Sequence, residues 1–409
     1  MTNALFSPLL LPNGRTIPNR LAKAAMEENM AVDGHLPGDE LFRLYEAWAD
    51  GGVGLIITGN VMIDHRAMTG PGGIALEDNT PIDAFKQWAN VGRKQGAEFW
   101  MQINHPGRQV YAALGGKVWS PSDVPMDMGK HSTLFSRPTP MTEVEIHEVI
   151  KRFATTAIHA AKAGFTGVQI HAAHGYLLSQ FLSPLTNKRT DQWGGSLDNR
   201  ARILFDIVKA VKAAVPNDFA VSVKLNSADF QRGGFDSQDA KKVVAGLGDL
   251  KVDLVELSGG SYESPAMQGQ TADGRTLDRE AYFLEFAKDI ANEAIMPVMT
   301  TGGIKRLAIA ERVLSEGVDM VGMGTALAFN PGIPNEWRQR TNLNARVAEV
   351  NWKDKVLRGA ATMAIVKRQL QRVGRGKRPK FNPSPLFTLI RYQIRFKKLA
   401  RQYRSKYSN

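Results

Sequence analysis

Two histidines and a tyrosine fall close together in Ile170-His171-Ala172-Ala173-His174-Gly175-Tyr176, at the end of a short apolar run. Side chains of these types can grip a carbonyl oxygen and deliver a proton. Imidazoles donate hydrogen bonds to developing negative charge, and a phenol with a pKa of about 10 gives up a proton without prior ionisation. At the C-terminal end of a barrel strand, where loops gather around a ligand, such a trio is a candidate catalytic site. The plain alternative is a pair of satisfied loop histidines beside a core tyrosine. A metal site on H-x-x-H is disfavoured because no acidic partner lies nearby in sequence, and no metal is expected.

Eight short apolar or β-branched runs can position the trio: Leu21–Met26, Val53–Thr58, Glu98–Ile103, Thr166–His171, Ala220–Leu225, Asp253–Ser258, Met296–Thr301 and Val318–Met323. Several are nearly continuous apolar segments, the pattern of parallel strands buried on both faces. Helical patterns alternate with them over Gly38–Asp50, Pro81–Gln95, Glu143–Ala163, Leu197–Val215, Ser237–Leu247, Asp278–Ala291 and Lys305–Ser315. This alternation predicts an α/β protein built as a (β/α)8 TIM barrel with a long loop insertion after strand three and a basic C-terminal helical extension. An open doubly wound sheet would need an early glycine-rich dinucleotide turn, and residues 1–60 contain no G-x-G-x-x-G. The connection from Asn104 to Thr142 is too long for a simple turn and reads as a lid or substrate-capping excursion. On strand five, alternation puts Lys224 on the face of Ala220 and Ser222, where a cation in a barrel mouth needs a counter-charge.

The 409 residues, with 43% hydrophobic and 22% charged content, suit a globular protein with ample core. With no cysteine, disulfides, cysteine zinc sites, cysteine-ligated iron–sulfur clusters and thiol nucleophiles are excluded. The first residues lack the basic start and apolar core of a secretory signal, and no segment approaches the roughly 20 apolar residues of a membrane span. Cytoplasmic residence is the expectation. The net charge of +12 is uneven: no acidic residue follows Asp354, whereas Lys355 to Lys406 contains sixteen Lys and Arg. Any polyanion or membrane argument therefore rests on this tail.

The segment from His171 through Pro184, and Thr186-Asn187-Lys188-Arg189-Thr190-Asp191-Gln192-Trp193-Gly194-Gly195-Ser196-Leu197-Asp198-Asn199-Arg200 after it, resemble the Old Yellow Enzyme family of FMN-dependent ene-reductases. Asn19-Arg20-Leu21, Gly51–Thr58, Gln102–Arg108, Gly302-Gly303 and Gly322-Met323-Gly324 add to the likeness, which covers roughly residues 5–340. The resemblance implies FMN as cofactor, NADH or NADPH as reductant, and an alkene activated by a carbonyl or similar group as substrate. By resemblance, His171 and His174 hold the electron-withdrawing oxygen and Tyr176 protonates the α-carbon. Lys224 would face the N1–O2 edge of the flavin, where the family commonly has arginine; a structural ion pair is the alternative. Gln102 would pair with the pyrimidine edge, or else cap the barrel. Ala25 and Met26 would contact the ring through backbone, and Gly59 would let the chain approach the cofactor. Gly302, Gly303, Gly324 and Thr325 would cradle its phosphate.

Two departures stand out. Many relatives place arginine where Thr325 stands, so Lys305 or Arg306 is the candidate replacement cation. Glu27 occupies a position that is usually Thr or Cys; a carboxylate beside the flavin would lower its potential or point elsewhere.

Residues 1–365 are read as the FMN-binding barrel and residues 366–409 as a basic linker with an amphipathic helix. Leu389, Tyr392, Phe396, Leu399 and Tyr403 share one side of that helix, opposite Arg391, Arg395, Lys398 and Arg401. It can dock on its own barrel or on a neighbouring subunit of a homo-oligomer. Peripheral attachment to an anionic membrane surface is the second reading and nucleic acid the last. The functional expectation is an NAD(P)H oxidoreductase that reduces activated C=C bonds. The alternatives are a dienoyl-CoA-reductase-like flavoenzyme without an iron–sulfur cluster and a non-catalytic binding protein.

Overall fold

The computed structural model describes residues 4–268 and 280–407. Eight parallel strands close into a barrel: β1 (Leu21–Lys23), β2 (Leu55–Ile57), β3 (Glu98–Asn104), β4 (Gly167–Ala172), β5 (Ala220–Asn226), β6 (Leu254–Ser258), β7 (Val298–Thr300) and β8 (Met320–Met323). Closure is direct, since β8 pairs with β1 through Val321 opposite Leu21 and Met323 opposite Lys23. The alternation of a pleated strand sends Val168, Ile170, Val221 and Val223 outward against the helices. Trp100, Ala220, Leu254, Met299 and Met320 turn inward instead.

The inward set is a packed floor. Leu9–Leu10 pairs antiparallel with Thr16–Ile17, and Leu9, Leu11 and Ile17 plug the barrel against Ala22, Leu55 and Trp100. Trp100 is accommodated because Gly167 and Ala220, its neighbours across β4 and β5, are small. Above the floor the inward residues become polar, and the site begins there.

The surrounding helices are α1 (Asp39–Asp50), α2 (Asp83–Gly92), α3 (Glu143–Ala163), the short α4 (Leu177–Leu182), α5 (Leu197–Ala214), α6 (Ser237–Asp249), α7 (Leu284–Ala291), α8 (Leu307–Ser315), α9 (Thr325–Phe329) and α10 (Ile333–Gln339). Local chemistry sets several of their starts. Thr142 and Glu145 form a reciprocal capping box on α3, while Ser196 and Asp236 cap α5 and α6. Several expected boundaries move by two residues or more. Strand one stops at Lys23 instead of Met26, so Ala24–Met26 run along the rim. The helix expected from Lys305 starts at Leu307, because Lys305 and Arg306 pair through backbone with Ala345 and Asn344. The helix expected from Asp278 begins at Leu284, and Asp278 itself lies outside the described residues. The long connection after β3 contains a small parallel pair, Trp119–Ser120 with Thr139–Pro140, and a 3-10 turn over Gly129–Leu134.

Beyond the barrel come α11 (Lys355–Gly374) and α12 (Pro385–Tyr407). A division after residue 365 falls inside α11, which runs on unbroken. α12 docks on its own barrel through Phe396, Ala400 and Tyr403, which pack with Tyr111, Met62, Met68, Ala75 and Leu114. The Tyr403 hydroxyl donates to the His65 carbonyl at 2.7 Å, and Arg395 donates to the Asn29 carbonyl at 2.9 Å. Among the described residues no helix is long and apolar enough to cross a membrane.

The floor gives a first prediction. A Cβ at position 167 would sit 2.7 Å from both Trp100 Cδ1 and the Ala220 carbonyl. Gly167→Ala should therefore cost about 1–3 kcal/mol, the range for overpacking, read as a lower urea midpoint.

Candidate active site

The trio stands where β4 ends. His171 is the last inward side chain of the strand, opposite Lys224 on β5. The chain then turns through His174 and Gly175, both at positive φ, and presents Tyr176 at the start of α4. Ring centroids lie 5.1 Å apart for His171 and His174 and 4.9 Å apart for His171 and Tyr176.

Hydrogen bonds orient both imidazoles. His171 Nδ1 accepts the Ala173 amide at 3.3 Å, which leaves the ring proton on Nε2 when the ring is neutral. His174 Nε2 meets Ser258 Oγ at 2.7 Å, and its backbone amide donates to Asn226 Oδ1 at 3.0 Å. Burial, with the Lys224 ammonium second, holds both histidines well below the ordinary imidazole range. They are neutral donors at physiological pH. The Tyr176 hydroxyl shares a 2.9 Å hydrogen bond with that of Tyr262. Burial, reinforced by the Glu27 carboxylate, pushes the Tyr176 phenol above its ordinary range, so it keeps its proton.

Inside the mouth a polar relay crosses four strands. Gln102 Nε2 donates to Gln169 Oε1 at 2.8 Å, Gln169 Nε2 donates to Glu256 Oε2 at 2.8 Å, and Lys224 Nζ donates to Glu256 Oε1 at 2.7 Å. Lys224 therefore has the structural ion pair that the sequence left as an alternative, while staying on the inward face beside His171. Gln102 faces inward in the same layer.

The expected backbone contacts gather around Met26. Met26 packs near Gly324, and a Cβ at Gly59 would collide with the Met26 carbonyl and the Glu28 carboxylate. Gly59 N–H is already committed to Tyr45 Oη at 2.9 Å and Glu28 Oε1 at 3.1 Å. Ala25 borders the barrel's inner cluster. Gly302 and Gly303 both take positive φ and lie against Tyr282, whereas Thr325 opens α9. Neither expected replacement cation is uncommitted: Arg306 pairs with Glu280 at 2.7 Å and Lys305 with Glu349 at 3.5 Å.

Glu27 has a partner no local pattern could reveal. Lys367 of α11, 340 positions away, donates to Glu27 Oε2 at 2.6 Å, and Thr69 bonds the other oxygen. Lys367 also bonds Asn29 Oδ1. Burial opposes charge on both groups, but each offsets it for the other: the Glu27 pKa is lowered and that of Lys367 raised. Tyr262 and Lys367 were missed by sequence reasoning and carry no local signature. Asn226 and Ser258 were missed although their places at the ends of β5 and β6 mark them.

A closed parallel barrel with neutral donors and a protonated phenol at its C-terminal rim is the architecture of a barrel oxidoreductase. Residues 4–344 match the model of the NADH:flavin oxidoreductase / NADH oxidase family. NADH-dependent flavin oxidoreductase iliE of Hypocrea jecorina is 36% identical over 351 residues, covering 80% of this chain and 87% of that protein. NADH-dependent flavin oxidoreductase iccE of Talaromyces variabilis is 37% identical, covering 81% and 85%. Among solved structures, the old yellow enzyme homologue of Zymomonas mobilis superposes with TM-score 0.71 at 24% identity, covering 84% of this chain and 95% of that one. 2-Naphthoyl-CoA reductase gives TM-score 0.76 at 25% identity over 83% of this chain, which spans 53% of that enzyme. The chain belongs to the NADH:flavin oxidoreductase / Old Yellow Enzyme family, with FMN as cofactor and NADH or NADPH as reductant. α11 and α12 lie beyond the matched residues.

Two predictions follow from these charges. Lys367→Met leaves a carboxylate buried without its partner and should cost about 3–5 kcal/mol, whereas adding Glu27→Gln should recover most of it in urea unfolding. Glu27 has a folded pKa below its ordinary 4.5. Its stabilisation is therefore present above that pH and lost as pH falls through the folded value. The double variant should show a shallower acid loss of stability than the native protein.

Proposed function

We propose that the protein is an ene-reductase: it reduces the C=C bond of an alkene conjugated to a carbonyl or similar electron-withdrawing group. The observation that carries this reading is the pairing of two neutral imidazole donors with a buried, protonated phenol at one rim.

The donor set fits FMN. An inward lysine and an inward glutamine sit in one buried polar layer, as the N1–O2 and pyrimidine edges of a flavin require. Side-chain-free positions at Gly59 and Gly324 flank Met26, and a Gly302–Gly303 turn offers backbone amides. Gln102, Lys224, Ala25, Met26, Gly59, Gly302, Gly303, Gly324 and Thr325 are the residues proposed to hold it. Held by these residues, FMN would supply the hydride-transfer chemistry that links NADH or NADPH to the β-carbon of the alkene.

The protein's own residues do the rest. His171 and His174 hold the substrate oxygen and stabilise the enolate-like charge that develops there. Neutral rings suit this task, since they donate without giving up a full proton. Tyr176 then moves a proton to the α-carbon, and Tyr262 holds the phenol in place through the hydroxyl pair. The buried surroundings exclude competing water from the reacting atoms.

The decisive test separates the half-reactions by anaerobic stopped flow. NADH should bleach the yellow protein and an enone should restore its colour. Tyr176→Phe should slow reoxidation by the enone at least tenfold while flavin reduction changes less than twofold. Equal slowing of both halves would remove the proton-donor role, and a colourless protein that takes up no FMN would remove the enzyme reading.

A further inference from the structure

The feature left without a role is the groove between α11 and α12. It has two joined lobes of about 390 and 210 Å³ that share Arg368, Thr388 and Arg391. No carboxylate lines either lobe, while eight Lys and Arg do. Two of the eight are neutralised from behind, Lys367 by Glu27 and Arg375 by Glu40. The other six, Arg368, Arg372, Lys380, Arg391, Arg395 and Lys398, have no carboxylate partner among the described residues. Arg372 and Arg395 are steered only by the backbone carbonyls of Arg378 and Asn29.

Packing six unpaired cations around one concavity is unfavourable without an anion. The groove is partly desolvated: burial first, then Arg391, Arg375 and Arg372, lowers the pKa of Arg368, and burial with Arg375 lowers that of Arg395 against the opposing Glu40 carboxylate and Tyr392. A surface of solvated lysines would show neither the concavity nor this mutual repulsion. The walls also supply planar apolar surface. Phe387 stands at the outer lobe with the Arg391 guanidinium 5.7 Å from its ring, and Tyr392 lines the inner lobe.

Guanidinium groups in a fork geometry pair bidentately with carboxylate and phosphate oxygens, and several along one groove suit an anion that carries several charges close together, as successive phosphates do. We propose that the α11–α12 groove binds a small anion carrying two or more phosphates, either free oligophosphate or the phosphates of a nucleotide. This site is separate from the rim trio and does not depend on the reaction assigned to it. A flat bilayer would instead meet the exposed apolar residues Leu386, Phe387, Ile390 and Ile394 of α12.

The test uses the full-length, FMN-loaded protein and calorimetric titration at 0.15 M salt. Tripolyphosphate and ADP serve as probes, alongside sedimentation with phosphatidylglycerol vesicles. The expected result is saturable binding of at least one soluble probe, weakening steeply with salt and at least tenfold weaker in Arg368→Gln/Arg391→Gln. Neither arginine makes an ion pair and the two repel each other, so this variant should unfold at or above the native urea midpoint. Tighter binding of ADP than of tripolyphosphate would assign the nucleotide source, and the reverse order the free one. Absence of binding by both probes, or equal binding by the variant, would overturn the proposal. So would vesicle sedimentation without soluble-probe binding, which would assign the face to a membrane.

Discussion

The site depends first on the ion pair between Lys224 and Glu256, sealed inside the barrel at 2.7 Å. A buried ammonium without a counter-charge would be unstable or would lose its proton. Glu256 supplies the counter-charge, and Gln169, itself bonded by Gln102, satisfies the second carboxylate oxygen. The charge has a further effect one strand away. Lys224 adds to burial in holding His171 and His174 neutral, so the cation proposed to face the flavin edge also contributes to the protonation state of the two proposed substrate donors. Stability and chemistry share one interaction here.

The second constraint is the Glu27–Lys367 pair. A carboxylate at the rim beside a flavin would disfavour added electron density. In this chain α11 supplies the compensation, so the extension beyond the family-matched residues is bonded into the rim of the site. Glu27 also acts electrostatically on Tyr176 and Tyr262, which ties the protonation of the phenols to a residue 340 positions downstream of that carboxylate. The tail and the chemistry are thus coupled by a buried charge pair, not by proximity alone.

The barrel and its trio were legible because their signals are local. Continuous apolar runs identify strands, a period of two puts Lys224 on the inner face, and six consecutive positions hold His171, His174 and Tyr176. The face of α12 that carries Phe396 and Tyr403 was readable for the same reason. Contacts made across the fold were not. Tyr262 reaches Tyr176 from the loop after β6, and Glu27 as a sequence letter says nothing of Lys367. The N-terminal plug of Leu9, Leu11 and Ile17 was missed because two-residue strands carry almost no periodicity. The carboxylate partners of Lys305 and Arg306, the cations expected to replace the family's phosphate-end arginine, were equally hidden, because only the fold brings Glu349 and Glu280 near them.

The tail exposes a balance that the barrel does not face. α12 holds to the barrel by a limited apolar patch around Phe396, Ala400 and Tyr403 and by a few hydrogen bonds to backbone carbonyls. Against this stand like charges on α11 and α12. Two unit charges about 8 Å apart repel by roughly 0.5 kcal/mol in water and by about four times that at the lower dielectric of a partly buried site. Several such pairs approach the stabilisation that burying a few aromatic and aliphatic groups provides, at about 25 cal/mol per Å². The charges are tolerable because most cations lie toward solvent, where ions screen them within about 10 Å. Those turned into the groove are the exception, and the anion proposed to bind there would relieve their repulsion.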